Sequence, residues 1–104
     1  MKKFFEISQL DQVPKKLCGV YSLFDKNKKL IYIGKSTNIS NRLKTHHRLN
    51  FKNFRNQFCY FNFTPISDEI TALLVESKEI KENKPLFNKK LRRLKNLKLF
   101  SNIL

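Results

Sequence analysis

A small α+β domain is what the sequence predicts, and three observations predict it. Two short apolar runs, Gly19-Val20-Tyr21-Ser22-Leu23-Phe24 and Leu30-Ile31-Tyr32-Ile33-Gly34, flank the polar segment Asp25-Lys26-Asn27-Lys28-Lys29, the pattern of a β-hairpin. A third strand-like run, Phe58-Cys59-Tyr60-Phe61-Asn62-Phe63, is closed by Thr64-Pro65. Stretches with helical spacing lie between and after these runs, which gives the order hairpin, helix, strand, helix, helix. At 104 residues, with 40% hydrophobic residues and ten Phe, the chain holds one modest core and has no room for a second catalytic domain.

Residues 1–17 read as a partly polar lead-in, because Pro14 and Lys15-Lys16 oppose a long regular element. With a four-residue loop the hairpin pairs Asp25 with Leu30 and Tyr21 with Gly34, so Tyr21, Leu23, Tyr32 and Gly34 share a face. Gly34 then leaves space beside Tyr21 for a backbone or a ligand. That face reads as a site, although an aromatic hairpin taken alone is more often core packing.

Lys35-Ser36-Thr37-Asn38 offers several N-caps, and Ile39, Leu43 and His46 recur at helical spacing, predicting a helix from about Asn38 to about Leu49. Arg42 and His46 fall one turn apart. Ser67-Asp68-Glu69 starts a second helix with a cap and two acids at the positive end of its dipole. Ile70, Leu73, Leu74, Ser77 and Ile80 form its predicted inward stripe, and Pro85 ends it. Glu76 sits at the edge of that arc, whereas Glu79 and Glu82 point away. Beyond Asn88, Leu91, Leu94 and Leu97 repeat among Lys89, Lys90, Arg92, Arg93, Lys95 and Lys98, which predicts a basic amphipathic helix.

Lys plus Arg number 22 against 8 Asp plus Glu, a formal charge of +14 that attracts polyanions. Nucleic acid is the leading partner; anionic membrane is disfavoured because the cations are spread along the chain. No apolar stretch is long enough to span a bilayer and none follows Met1-Lys2-Lys3 as a secretory signal, so the expected location is cytoplasmic. Cys18 and Cys59 stand alone, without CxxC or zinc-finger spacing, and read as small buried hydrophobes.

Gly19-Val20-Tyr21, Tyr32-Ile33-Gly34-Lys35, Arg42 on the next helix, Glu76 on a later one and Pro85-Leu86-Phe87-Asn88 after it together resemble the GIY-YIG nuclease family. The similarity is strongest to the branch found at the amino terminus of the nucleotide-excision-repair excinuclease and in its stand-alone or exonuclease-fused homologues. It spans about residues 18–93, which are taken as the nuclease domain between the 1–17 lead-in and a basic helical extension over 94–104. Val20 replaces the motif's Ile conservatively.

The resemblance implies a three-stranded antiparallel sheet flanked by helices. It also implies a metal-dependent endonuclease that makes a single incision in DNA, in the setting of DNA repair. On that reading Glu76 holds one Mg²⁺ or Mn²⁺, a lone carboxylate being enough for a largely hydrated ion. Tyr21 is the base toward the attacking water, a task that requires positive charge nearby, from Lys35 or the metal, because a free phenol has a pKa of about 10. Tyr32 orients Tyr21 or the water, or is a core tyrosine; Arg42 grips the scissile phosphate through its planar fork.

His46 contacts phosphate, relays a proton, or belongs to a plain helix surface. Lys35, Arg42, His46, Lys89, Lys90, Arg92 and Arg93 are the expected nucleic-acid contacts, with Gly19, Gly34 and Asn88 shaping the backbone. Two other classes compete: an inactive DNA-binding module that docks a larger repair or replication complex, and a basic RNA-binding protein. Nothing in the residues spells a base-reading code or an oligomeric state.

Overall fold

The computed structural model describes residues 3–48, 58–85 and 88. Its order is strand β1 (Phe5–Glu6), a 3₁₀ helix (Ile7–Gln12), β2 (Gly19–Phe24), β3 (Leu30–Ser36), helix α1 (Ile39–Arg48), β4 (Tyr60–Pro65) and helix α2 (Glu69–Asn83). The strands form one antiparallel sheet in the order β1-β4-β2-β3. The α+β antiparallel architecture is the expected one, with a fourth strand contributed by the lead-in. That two-residue strand pairs Phe5 with Phe61 and Glu6 with Tyr60. The 3₁₀ helix follows at once, its start closed by the Glu6 N–H donating to Gln9 Oε1 at 2.8 Å.

The hairpin register is Tyr21 opposite Gly34 and Leu23 opposite Tyr32, as expected. At its end the register shifts by one, so Phe24 faces Leu30 and Asp25 lies in the turn instead of pairing with Leu30. Asp25 organises that turn: its Oδ1 accepts from the N–H of Asn27 (2.8 Å) and of Lys29 (2.9 Å).

Alternation along the central strands makes two cores. Tyr21 and Leu23 join Leu10, Val13, Ile39, Leu43, Phe58 and Phe61 on one face. Val20 and Ile33 meet Ala72 of α2 on the other. The Phe-rich strand therefore fills the interior, Phe58 and Phe61 being buried. Cys18 and Cys59 are free thiols, half-buried instead of fully enclosed.

Helix α1 matches the predicted span. α2 starts where expected, Asp68 accepting from the Thr71 N–H at 2.8 Å, and its C-cap is Lys84 in the left-handed region, one residue before Pro85. The face α2 buries overlaps the predicted one only at Ile80. Ala72, Val75 and Ile80 pack inward with Glu76 and Glu79 half-buried, whereas Ile70 (70% exposed), Leu73 and Leu74 face out. Counting apolar residues selected the wrong arc, because the small Ala72 is the residue that lets α2 sit close to the sheet.

Candidate active site

Gly34 brings the two tyrosines together. A Cβ at this position would stand 2.5 Å from Tyr21 Oη and 2.9 Å from Tyr32 Cε2. The space expected to be open beside Tyr21 is thus filled by the Tyr21 ring itself, laid across Gly34. Tyr21 and Tyr32 have ring centroids 6.1 Å apart.

α1 delivers the third partner. His46, buried on the same side as Ile39 and Leu43, places its ring 5.6 Å from Tyr21 and 5.2 Å from Tyr32, with Tyr21 Oη 2.7 Å from Nε2. His46 is therefore no surface residue. The signal was present in the sequence as the third member of the Ile39, Leu43, His46 series, which is the buried stripe of α1.

Burial pushes the Tyr21 phenol well above its usual 10; the charge of Tyr32 adds to this and the Arg42 guanidinium opposes it. Burial also raises Tyr32, with Arg42 lowering and Glu76 raising it. Burial, reinforced by Arg42, holds His46 down at about 4. Both members of the pair are neutral near pH 7; the imidazole tautomer sets which of them donates, and the one with its proton on Nδ1 accepts the phenol O–H at Nε2.

Arg42, one turn before His46, acts electrostatically on all three aromatic groups. It is the positive charge beside Tyr21. Lys35 does not have that place: it pairs with Val20 and so projects from the face opposite Tyr21.

Glu76 on α2 reaches the site from the side of edge strand β3, where its charge is felt by Tyr32. Among the described residues no group of three or more His, Cys, Asp or Glu forms a metal cage. A half-buried single carboxylate fits one hard cation that keeps most of its water.

Asn88 clamps the chain after α2 to that edge: its Oδ1 accepts from the Ile33 N–H and its Nδ2 donates to the Ile33 carbonyl, both at 2.7 Å. Gly19 lies where a side chain would run into the Thr64 carbonyl. Lys89, Lys90, Arg92, Arg93 and the predicted helical extension over 94–104 lie outside the described residues.

A hairpin that sets two tyrosines, tilted to each other, beside a glycine, with an arginine-bearing helix and a glutamate-bearing helix packed on the sheet, defines a GIY-YIG-type domain. The family model of the UvrC-like GIY-YIG domain matches residues 17–89, and the chain belongs to that family. UvrABC system protein C of Rickettsia akari is 40% identical over 86 residues, covering 78% of this chain and 13% of that protein. Its counterpart in Rickettsia canadensis is 38% identical over 74 residues, covering 67% and 12%. The chain thus spans about an eighth of the length of these relatives.

Among solved structures, the N-terminal GIY-YIG endonuclease domain of UvrC from Thermotoga maritima with its catalytic magnesium superposes with a TM-score of 0.65 at 23% identity, covering 77% of this chain and 91% of that one. A point mutant of the same domain bound to its catalytic divalent cation gives 0.64 at 22%, covering 76% and 93%. At that identity the likeness carries the fold.

Proposed function

We propose that the chain is a metal-dependent endonuclease that hydrolyses one phosphodiester bond of DNA, acting in the cytoplasm in DNA repair. The observation that carries this reading is the buried pair Tyr21 Oη and His46 Nε2, 2.7 Å apart, with Arg42 beside it and Glu76 acting on the adjoining Tyr32.

A phenol held well above its ordinary pKa supplies no standing phenolate, so Tyr21 works as a conduit. Its oxygen takes a proton from the attacking water while its own proton passes to His46 Nε2, and the buried site never holds a free phenolate. His46 is a weak acceptor, first because it is buried and second because the Arg42 charge acts on it. A DNA phosphate seated on the Arg42 guanidinium screens that positive charge and raises the basicity of the imidazole as substrate binds. Tyr32 fixes the Tyr21 ring from one side and faces Glu76 on the other.

Glu76 would hold one Mg²⁺ or Mn²⁺, which supplies charge stabilisation at the phosphate and the leaving oxygen when bound. Lys35, on the opposite face of β3, is assigned to backbone contact outside the reacting group, and Lys89, Lys90, Arg92 and Arg93 to the wider DNA footprint. The name of the relatives, UvrABC system protein C, supports work alongside further repair proteins.

Incubation with supercoiled plasmid and Mg²⁺ or Mn²⁺ tests the reading. Metal-dependent conversion to nicked circles is expected. DNA binding that is tight and salt-sensitive, with no turnover in any metal, would replace it by the docking-module reading, and preferential binding of RNA would overturn it.

A further inference from the structure

The lead-in turns at Lys15-Lys16, where Lys16 takes a left-handed φ of 61°, and runs against the start of α1. Asn38 joins the two segments: its Oδ1 accepts from the Lys16 N–H (3.4 Å) and from the Asn41 N–H (3.2 Å). Between them lies a cavity of about 180 Å³ lined by Lys15, Lys16, Asn38, Ser40, Asn41 and Lys44. Three of these six residues are cations and none is acidic. Lys44 has one neighbouring acid, Asp11 at 3.1 Å, but that side chain is 91% exposed and its pairing is weak in water.

Two features of the floor match an anion. The Ile39 N–H is taken by the Leu17 carbonyl, that of Asn41 by Asn38 Oδ1 and that of Arg42 by the Asn38 carbonyl, while Ser40 sits at a first-turn position that has no intrahelical acceptor. Ser40 is also only 3% exposed, lines the cavity, and its hydroxyl makes no hydrogen bond among the described residues. The hydroxyl is open to the cavity, where an oxyanion would engage it together with the helix terminus and the lysines.

We propose that this cavity binds a backbone phosphate of DNA other than the scissile one. Ser40 and Lys44 are one turn apart on α1, whereas Arg42 projects from the opposite flank, so the two phosphate sites lie about a helix diameter, roughly 10 Å, from each other. α1 then serves as a wedge gripped by phosphates on two sides. The choice of DNA as the source of the phosphate rests on the nuclease reading; the cavity itself would accept any phosphoryl oxygen.

The test is fluorescence anisotropy of a labelled duplex in EDTA, across a salt series, with the full chain and two double variants. Lys15→Gln/Lys16→Asn removes two cavity cations, with Asn chosen because it tolerates the left-handed backbone. Lys26→Gln/Lys29→Gln removes the same charge from the hairpin turn. The cavity variant should bind more weakly and lower the slope of log K against log salt by about one; the turn variant should change it less.

Amide NMR supplies the second readout: Ser40 and Asn41 should shift with DNA at phosphate concentrations where inorganic phosphate moves neither. Identical slopes for the cavity variant and the parent, with DNA still bound and nicked by the parent, would overturn this proposal and leave the nuclease reading standing. Equal shifts with inorganic phosphate would reassign the cavity to a free anion, and failure of the parent to bind DNA would remove both readings.

Discussion

Tyr21 Oη and His46 Nε2 stand 2.7 Å apart, joining a strand of the central hairpin to the inner face of the following helix. Because His46 is buried and neutral, the pair makes the fold acid-sensitive. Its pKa falls from 6.5 in the unfolded chain to about 4 in the fold. The unfolded state therefore binds the extra proton first. Stability from this group is complete above pH 6.5 and is lost as the pH falls toward 4, by about 3 kcal/mol. Urea melts over that range should show the loss, and His46→Gln should flatten it.

Gly34→Ala should disrupt the site from within. The added methyl meets Tyr21 Oη at 2.5 Å and Cζ at 2.6 Å, so the ring must leave its position over the strand. A loss of about 1–3 kcal/mol in thermal unfolding is expected, with nicking reduced far more than DNA binding.

Asn88→Ala should cost about 1–3 kcal/mol, since the N–H and carbonyl of Ile33 both lose a 2.7 Å partner at a partly buried edge. Asn88→Asp, which keeps the acceptor but sets a carboxylate oxygen against the Ile33 carbonyl, should cost at least as much. Hydrogen exchange at the Ile33 amide reports the lost bond directly.

Asn62 faces Ser22 across β2 and β4, is 5% exposed, and its Oδ1 has no partner among the described residues. Asn62→Leu, close in size and free of that unpaired oxygen, should raise stability by about 1 kcal/mol in the same melts.

The hairpin was legible in the sequence down to the pairing of Tyr21 with Gly34, because strand alternation and a short turn leave little freedom. Its last pair was not: the register shift between Leu23 and Phe24 depends on how Asp25 bonds the turn, a side-chain matter. β1 was invisible because two residues carry no periodicity and their partner lies more than fifty positions away. The helical series Ile39, Leu43 and His46 already marked the buried stripe of α1, whereas the exposure of Ile70 and Leu74 depended on which arc of α2 met the sheet. Helical spacing fixes the arcs; only packing chooses between them.

The most direct measurement is the nicking rate of Glu76→Gln in Mg²⁺ beside the parent chain, with DNA affinity measured separately by anisotropy. Glu76 is half-buried on α2 and its charge reaches Tyr32, so the neutral amide should leave the fold and DNA affinity nearly unchanged while slowing nicking about a hundredfold or more. Equal nicking by the two proteins would contradict the account.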